Sequence, residues 1–360
     1  TALTLTRLGA TAEAKAEVDL AIRAQPASPL TAPAQRLGEI LTGAQREEKR
    51  FSGQLRTGVY YDSNIPVVPL PSGRLTDPDT FAFRQKNRFQ DSWGTLAVVD
   101  LEYKWLKTAA WEGSVSHHFL QTYNYNPHLR DFNTQENFPT LSIVNNGVLP
   151  AFFGSMAYSG GAQLAYDYIS LGNTPFIQRG IFSPYITLIE NSWNATTLLF
   201  RFQGKDFFHN ERAPGVDNQD ALNNTVGWLH FFLFEKSRHY IKIGYQYDDE
   251  NARGRNWDYR GHRLLAGFQY TLPWDVRFRY DLDYHWRYYV HRNTLHPEST
   301  PPLVRRRDNE PIHLVGVAKD FRFVVPFTAA VEYFYDRGHS NIDLYDFRRH
   351  NVTMSLAWHF

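Results

Sequence analysis

The chain has 360 residues and no cysteine, which excludes a disulfide framework and a thiolate metal site. A net charge of +1 offers nothing to a polyanionic partner, so nucleic acid is excluded as a target. Mean hydropathy is −0.47, and no run approaches the ~18 apolar residues of a transmembrane helix. A helical membrane protein is thereby excluded. A transmembrane barrel is not, because its inward polar residues cancel its outward apolar ones in any average.

The first element is helical. "ATAEAKAEVDLAIRAQP" places Ala12, Ala14, Ala16, Val18, Ala21 and Ile22 near helical spacing and ends at Pro26. "TAPAQRLGEILTGAQREEKR" predicts a second helix, with Thr31 as cap and Pro33 in its first turn. The two read as a tetratricopeptide-like helix pair over residues 1–49, a periplasmic helical segment. One pair cannot bury its apolar face alone, so further repeats before residue 1 or packing on the next domain are expected. No basic region followed by an apolar core opens the chain, which reads as mature or truncated.

From Phe51 the period changes from 3.6 to 2 and holds to the end, so residues 50–360 read as one β domain. The first segment, "SGQLRTGVYY", puts Leu55, Thr57, Val59 and Tyr61 on one face. The second sets Ala97, Val99, Leu101, Tyr103 and Trp105 against Val98, Asp100, Glu102 and Lys104. Further segments follow near 111–125, 137–149, 161–168, 179–190, 198–205, 223–234, 241–248 and 263–270. The eleventh, "RFRYDLDYHWRYYV", alternates Arg277, Arg279, Asp281, Asp283, His285 and Arg287 with Phe278, Tyr280, Leu282, Tyr284, Trp286 and Tyr288. Segments near 307–320 and 327–336 precede the last, which alternates Val352, Met354, Leu356, Trp358 and Phe360 with polar residues. The fourth, sixth, eighth and twelfth are the least regular.

About fourteen segments of roughly ten residues fit tilted transmembrane strands. Connections after odd segments are often long (62–90, 126–135, 206–221, 291–306), whereas "LKTAA", "NSW", "EKSR" and "PW" after even ones are short. Long loops on one side and tight turns on the other is the outer-membrane pattern. Open sheet edges in lipid would leave backbone groups unpaired at several kcal/mol each. The predicted fold is therefore all-β, a closed antiparallel transmembrane barrel of about 14 strands, its N-terminus periplasmic.

In such a barrel the apolar face meets lipid. Phe278, Tyr280, Leu282, Tyr284, Trp286, Leu356 and Trp358 are predicted to face outward, with aromatic pairs near strand ends building girdles. The predicted pore lining is Arg56, Asp100, Glu102, Lys104, Arg201, Lys205, Arg263, Arg277, Arg279, Asp281, Asp283, His285, Arg287 and Glu332. Such residues either set ion selectivity or pair across strands to hydrate and rigidify the wall.

The terminal "SNIDLYDFRRHNVTMSLAWHF" resembles the last strand of bacterial outer-membrane barrels, which ends in Phe. Together with "GVYYDSNIPVVP" and the helix pair, it is similar to the tetratricopeptide-plus-barrel outer-membrane proteins. These include the surface lipoprotein assembly modifiers and, more distantly, the exopolysaccharide export porins. The most specific stretches are "YDSN" (Tyr61–Asn64) and the last twenty or so residues. The resemblance implies an assembly signal at Trp358 and Phe360, read by the barrel-assembly machinery. It also implies a periplasmic domain that receives cargo, and a barrel that carries protein or polysaccharide to the surface.

No catalytic or cofactor signature is present: there is no H-E-x-x-H, P-loop or G-x-S-x-G. The adjacent His117 and His118 of a strand point to opposite faces and cannot share a metal. No enzyme, metal or cofactor is expected. The basic run "VRRRDNE" (304–310) reads as a solvated loop flank, or as a binder of lipopolysaccharide phosphates. Three functions remain: translocation or assembly of a macromolecular cargo, a porin for small solutes, and an anchor for an extracellular assembly. The expected partners are outer-membrane lipid and lipopolysaccharide, the assembly machinery, and an exported cargo.

Overall fold

The computed structural model describes residues 50–70, 90–108, 110–150, 156–208, 215–235, 237–294, 304–321 and 326–360. The helix pair expected over 1–49 lies outside them. Fourteen strands follow in chain order: β1 (Phe51–Asp62), β2 (Ser92–Lys107), β3 (Trp111–Asn124), β4 (Thr134–Val148), β5 (Ala157–Leu171), β6 (Thr174–Asn191) and β7 (Asn194–Phe207). Then come β8 (Ala221–Phe234), β9 (His239–Ala252), β10 (Tyr259–Thr271), β11 (Val276–Arg292), β12 (Arg305–Phe321), β13 (Phe327–Ser340) and β14 (Phe347–His359). Each pairs antiparallel with its chain neighbours, and β1 pairs β14, closing the barrel. Among the described residues no helix is long and apolar enough to cross a membrane.

Closure follows from the alternation. Leu55, Val59, Leu164, Phe200, Phe202, Ile241 and Leu356 are 40–60% exposed although large and apolar. Their opposite-parity neighbours are covered, as Val98 at 0%, Thr225 at 3% and His285 at 3% show. A sheet with this distribution is dry on the outside only if lipid surrounds it. The seam is held at the C-terminus, where Gly53 N donates to Phe360 O and Phe360 N donates to Gly53 O, both 2.9 Å. The register there runs from Gln54 opposite His359 to Asp62 opposite Asn351.

Most strands run past the predicted segments at one end or both, and one connection departs from the predicted alternation. The link after β5 is only Gly172 and Asn173, both with positive φ (56° and 67°). That is the two-residue hairpin geometry that matches strand twist. Gly172 is required for a second reason: a Cβ there would stand 2.7 Å from Asp131 Cα in the β3–β4 connection. The short turns after β2, β6, β8 and β10 fall where the sequence predicts them.

Candidate functional site: a charged wall and interlocked loops

The inward face of β9–β11 shows how the wall is built. Gly267 of β10 stands between Lys242 of β9 and Asp281 of β11 in register. With no side chain in the way, Lys242 Nζ reaches Asp281 Oδ1 at 2.5 Å across the intervening strand. A Cβ on Gly267 would fall 2.6 Å from that carboxylate oxygen and 2.8 Å from Lys242 Cε. Gly261, three inward positions along β10, does the same: His285 Nε2 meets Asp248 Oδ1 at 3.0 Å over the glycine. His285 and Asp248 are 3% and 5% exposed while Tyr288 and Phe268 of the opposite parity are 47% and 37% exposed, which places these groups inside.

The other predicted wall residues occupy the same face. Arg263 lies 3.3 Å from Asp283 and 3.3 Å from His285 Nδ1. Arg287 pairs with Glu310 and donates to His285 Nδ1 at 3.2 Å. Arg279 pairs with Asp281, and Arg277 Nη2 donates to Asp320 at 2.8 Å. Arg56 reaches Glu332 at 3.5 Å across β14. Lys205 holds both oxygens of Glu250 at 2.7 and 2.8 Å across β8, where the inward neighbour is Ala221. Arg201 donates to Thr225 at 3.0 Å. Lys104 pairs with Glu112 at 2.9 Å, and Asp100 with His118 at 2.5 Å. Glu102 lines a space of about 610 Å³ at the C-terminal end of the seam, with Gln54 and His359. The wall is thus a lattice of opposed charges, with partners on adjacent strands (Arg263–Asp283, Arg287–Glu310) or two strands apart (Lys242–Asp281, Lys205–Glu250, Arg56–Glu332). Lys242, Asp248, Glu250, Glu310 and Asp320 complete it and were absent from the predicted set. Their inward parity was readable, but their partners depend on register.

The outward set has the expected parity. Leu356 is 41% exposed; Phe278, Tyr280, Leu282, Tyr284, Trp286 and Trp358 are half-buried. The Tyr284 and Trp286 rings lie 4.3 Å apart, and Phe268 packs on Phe278 and Tyr280 at 5.7 and 5.9 Å. Phe360 is half exposed beside Phe51 at the seam. Three outward histidines were not anticipated. Tyr245 meets His262 Nδ1 at 2.6 Å, Tyr280 meets His313 at 2.9 Å, and Tyr333 meets His350 at 2.7 Å. Each imidazole thereby gains a partner without water.

At the end of the barrel where odd strands finish, the connecting segments hold one another. The "YDSN" stretch starts this. Asp62 takes Arg349 at 2.6 Å across the seam, and fully buried Asn64 clamps Val68 N and O and Arg348 O at 3.0–3.1 Å. The chain after β1 is so turned inward that Ile65, Pro66 and Val67 share a cavity of about 640 Å³ with the wall residues Arg56 and Thr353. Leu70 N donates to Asp346 O in the β13–β14 segment at 2.8 Å. Asn256, buried after β9, donates to Asp217 after β7 and to Thr294 after β11, at 2.5 and 2.7 Å.

Arg306 sits at the centre. It is 5% exposed and paired to Asp308 at 2.6 Å. Its guanidinium lies 3.3 Å from the Tyr345 ring centroid, 4.4 Å from Tyr289 and 5.2 Å from Trp257. Trp257 belongs to the β9–β10 connection and Tyr345 to the β13–β14 connection, so one cation ties two loops separated by the β11–β12 hairpin. Burial pushes the Tyr345 phenol above its ordinary value. Sequence reading marked 304–310 only as a basic run. Its alternation of exposed and buried residues, with Arg306 and Asp308 inward, emerges from the register.

Among the described residues no cluster of three or more metal-ligating side chains occurs. No curated protein matches the chain. In structure the chain is similar to OccAB1 of Acinetobacter baumannii (9% identity, 86% of this chain and 96% of that one, TM-score 0.43). It is also similar to OmpT, an outer-membrane protein of Vibrio cholerae (10%, 86% and 98%, 0.43), and to OpdK of Pseudomonas aeruginosa (8%, 86% and 98%, 0.40). The family described as "Surface lipoprotein assembly modifier" matches residues 165–360, from within β5 through β14. With more than half its length so matched and fourteen strands closed into an outer-membrane barrel, the chain belongs to the surface lipoprotein assembly modifier family.

Proposed function

We propose that this barrel helps a lipoprotein-like macromolecular cargo reach the cell surface, through a lumen whose mouth is shut at rest. The observation that carries the reading is the interlock of segments after β1, β7, β9, β11 and β13, with buried Arg306 tying those after β9 and β13. A porin for small solutes has no use for a mouth tied by a desolvated cation and three aromatic rings. The charged wall offers a hydrated surface with few unpaired charges, along which a polypeptide can move without being trapped. In this reading the interlocked loops face outward, and the short turns and residues 1–49 lie in the periplasm, where cargo arrives. The barrel itself performs no catalysis.

Two measurements test this together. In planar bilayers the intact chain is expected to be quiet, and cells producing it with a surface lipoprotein are expected to display that lipoprotein to external protease. Large, steady currents from the intact chain, unchanged by deletion of residues 1–49, would sink the gated reading in favour of a porin.

A further inference from the structure

The outward face of β10–β14, at the end where the loops interlock, carries an arc of arginines. Arg260 and Arg307 flank Tyr288 in register across three strands. Arg305 stands opposite Arg292 across the β11–β12 pair, and Arg348 stands opposite Arg337 across the β13–β14 pair. Arg260, Arg292, Arg305, Arg307 and Arg348 are all exposed. Like charges set directly opposite on a sheet repel and destabilise it. Arg337 is neutralised by Asp346 at 2.5 Å, and Arg260 has Asp249 at 3.6 Å. Arg292, Arg305, Arg307 and Arg348 make no ion pair with a carboxylate among the described residues.

The arc lies just past the aromatic belt. Tyr288, 47% exposed, is level with Arg260 and Arg307; Trp286 and His262 pair two positions further into the wall, as do Tyr335 and His350 beside Arg348. Aromatic belts mark the level of lipid headgroups. Cations placed there meet headgroup phosphates, and a guanidinium fork binds phosphate through two parallel hydrogen bonds. We infer that this arc binds the phosphates of the phosphorylated glycolipid of the outer leaflet, which sit between the opposed arginines and offset their repulsion. The glycolipid is favoured over a phospholipid because the cations span five strands, wider than one phosphodiester can serve. The inference rests on the proposed function only for its orientation, loops outward.

The test uses the full chain in detergent and titrates bisphosphorylated lipid A, the same lipid with its phosphates removed, and phosphatidylglycerol. The intact chain is expected to hold the bisphosphorylated form about tenfold or more tighter than either comparator, as several charged hydrogen bonds imply. The quadruple variant Arg292→Gln, Arg305→Gln, Arg307→Gln, Arg348→Gln is expected to lose that preference while keeping heat-modifiable migration. Arg279→Gln, inside the barrel, is expected to keep it. Equal binding of the three lipids by the intact chain, or an undiminished preference in the quadruple variant, overturns the proposal. Because the chain has no cysteine, Asn341→Cys reports orientation without background. Labelling in intact cells by an impermeant maleimide is expected. Absence of labelling would place the arc at the inner leaflet and overturn the outer-leaflet assignment, even if phosphate binding held in detergent.

Discussion

Arg306→Ala is the sharpest perturbation of the closed mouth. The substitution removes a guanidinium that is 5% exposed and leaves Asp308, also 5% exposed, with Tyr289 Oη at 3.2 Å as its remaining side-chain donor. Breaking a buried pair by deleting one partner costs about 3–5 kcal/mol. The lost stacking on desolvated rings acts in the same direction, at about 2 kcal/mol or more for a buried cation–π contact. Much of this cost exists only while the mouth is closed, since an opened mouth lets water reach Asp308. At about 1.4 kcal/mol per tenfold, 3–5 kcal/mol shifts the closed-to-open ratio by roughly a hundredfold to a few thousandfold. Single-channel recording is therefore expected to show frequent openings in the variant and few in the intact chain, with heat-modifiable migration retained. Arg306→Lys keeps the charge without the planar stack and is expected to fall between. Arg306→Ala with Asp308→Asn removes the stranded carboxylate and is expected to recover part of the closure. If Arg306→Ala is as quiet as the intact chain, the Arg306 cluster is not what shuts the barrel.

Four further outcomes follow from the same geometry. Tyr345 titrates above the ordinary 10.0 because of its burial. Its stabilising neutral form is fully present below pH 10 and is lost as pH rises through the elevated value, so openings should increase above about pH 10, and not in Tyr345→Phe. Gly261→Val puts a side chain where Asp248 Oδ1 would be 2.2 Å from its Cβ; thermal unfolding in detergent is expected to drop by about 1–3 kcal/mol, and an unchanged midpoint would show that the bridge over the glycine is dispensable. Asp281→Asn removes the carboxylate shared by Lys242 and Arg279; currents through a barrel opened by Arg306→Ala should shift toward anions, as reversal potentials in a salt gradient would show. Leu282→Arg faces lipid and should lower folding stability by about 2–4 kcal/mol near the midplane, measured by urea-dependent folding into vesicles.

The barrel was legible because lipid outside and water inside impose a period of two on every strand, whatever the residues' identity. The irregular segments have a covalent cause. Pro139 in β4, Pro184 in β6 and Pro311 in β12 lack the N–H that a ladder needs, and the pairing lapses beside each of them on one side. In β8 the polar Asn223 and Asn224 blur the alternation, yet Asn223 is 2% exposed and Asn224 opposes Phe202 on the outer face. The wall was legible as a list of inward residues but not as a set of pairs. Lys242 and Asp281 are 39 residues apart and meet only because register puts Gly267 between them. The mouth was legible only in fragments: the "YDSN" stretch and the basic run 304–310 stood out, but the meeting of Arg306 with Trp257 and Tyr345 depends on connections whose course no periodicity encodes.

The wall and the mouth are stiffened by different means, and the difference bears on how the proposed mouth would open. In the wall, the bridges join side chains held by ladder-paired strands, some neighbouring and some with a strand between them, so opening one means bending the barrel. Glycine or alanine at the crossing point (Gly261, Gly267, Ala221) shortens the reach enough for Asp and Lys side chains to span two strands. At the mouth, Arg306 holds side chains from segments with few ladder bonds of their own, so release costs only the local contacts. A ligand need bind the open mouth only a few kcal/mol better than the closed one to invert such a balance. Opening by the loops, with the wall rigid, is therefore the lower-energy route. A short bis-thiol-reactive crosslinker joining Lys242→Cys to Asp281→Cys, two strands apart, should then leave openings intact, whereas one joining Trp257→Cys to Tyr345→Cys should abolish them.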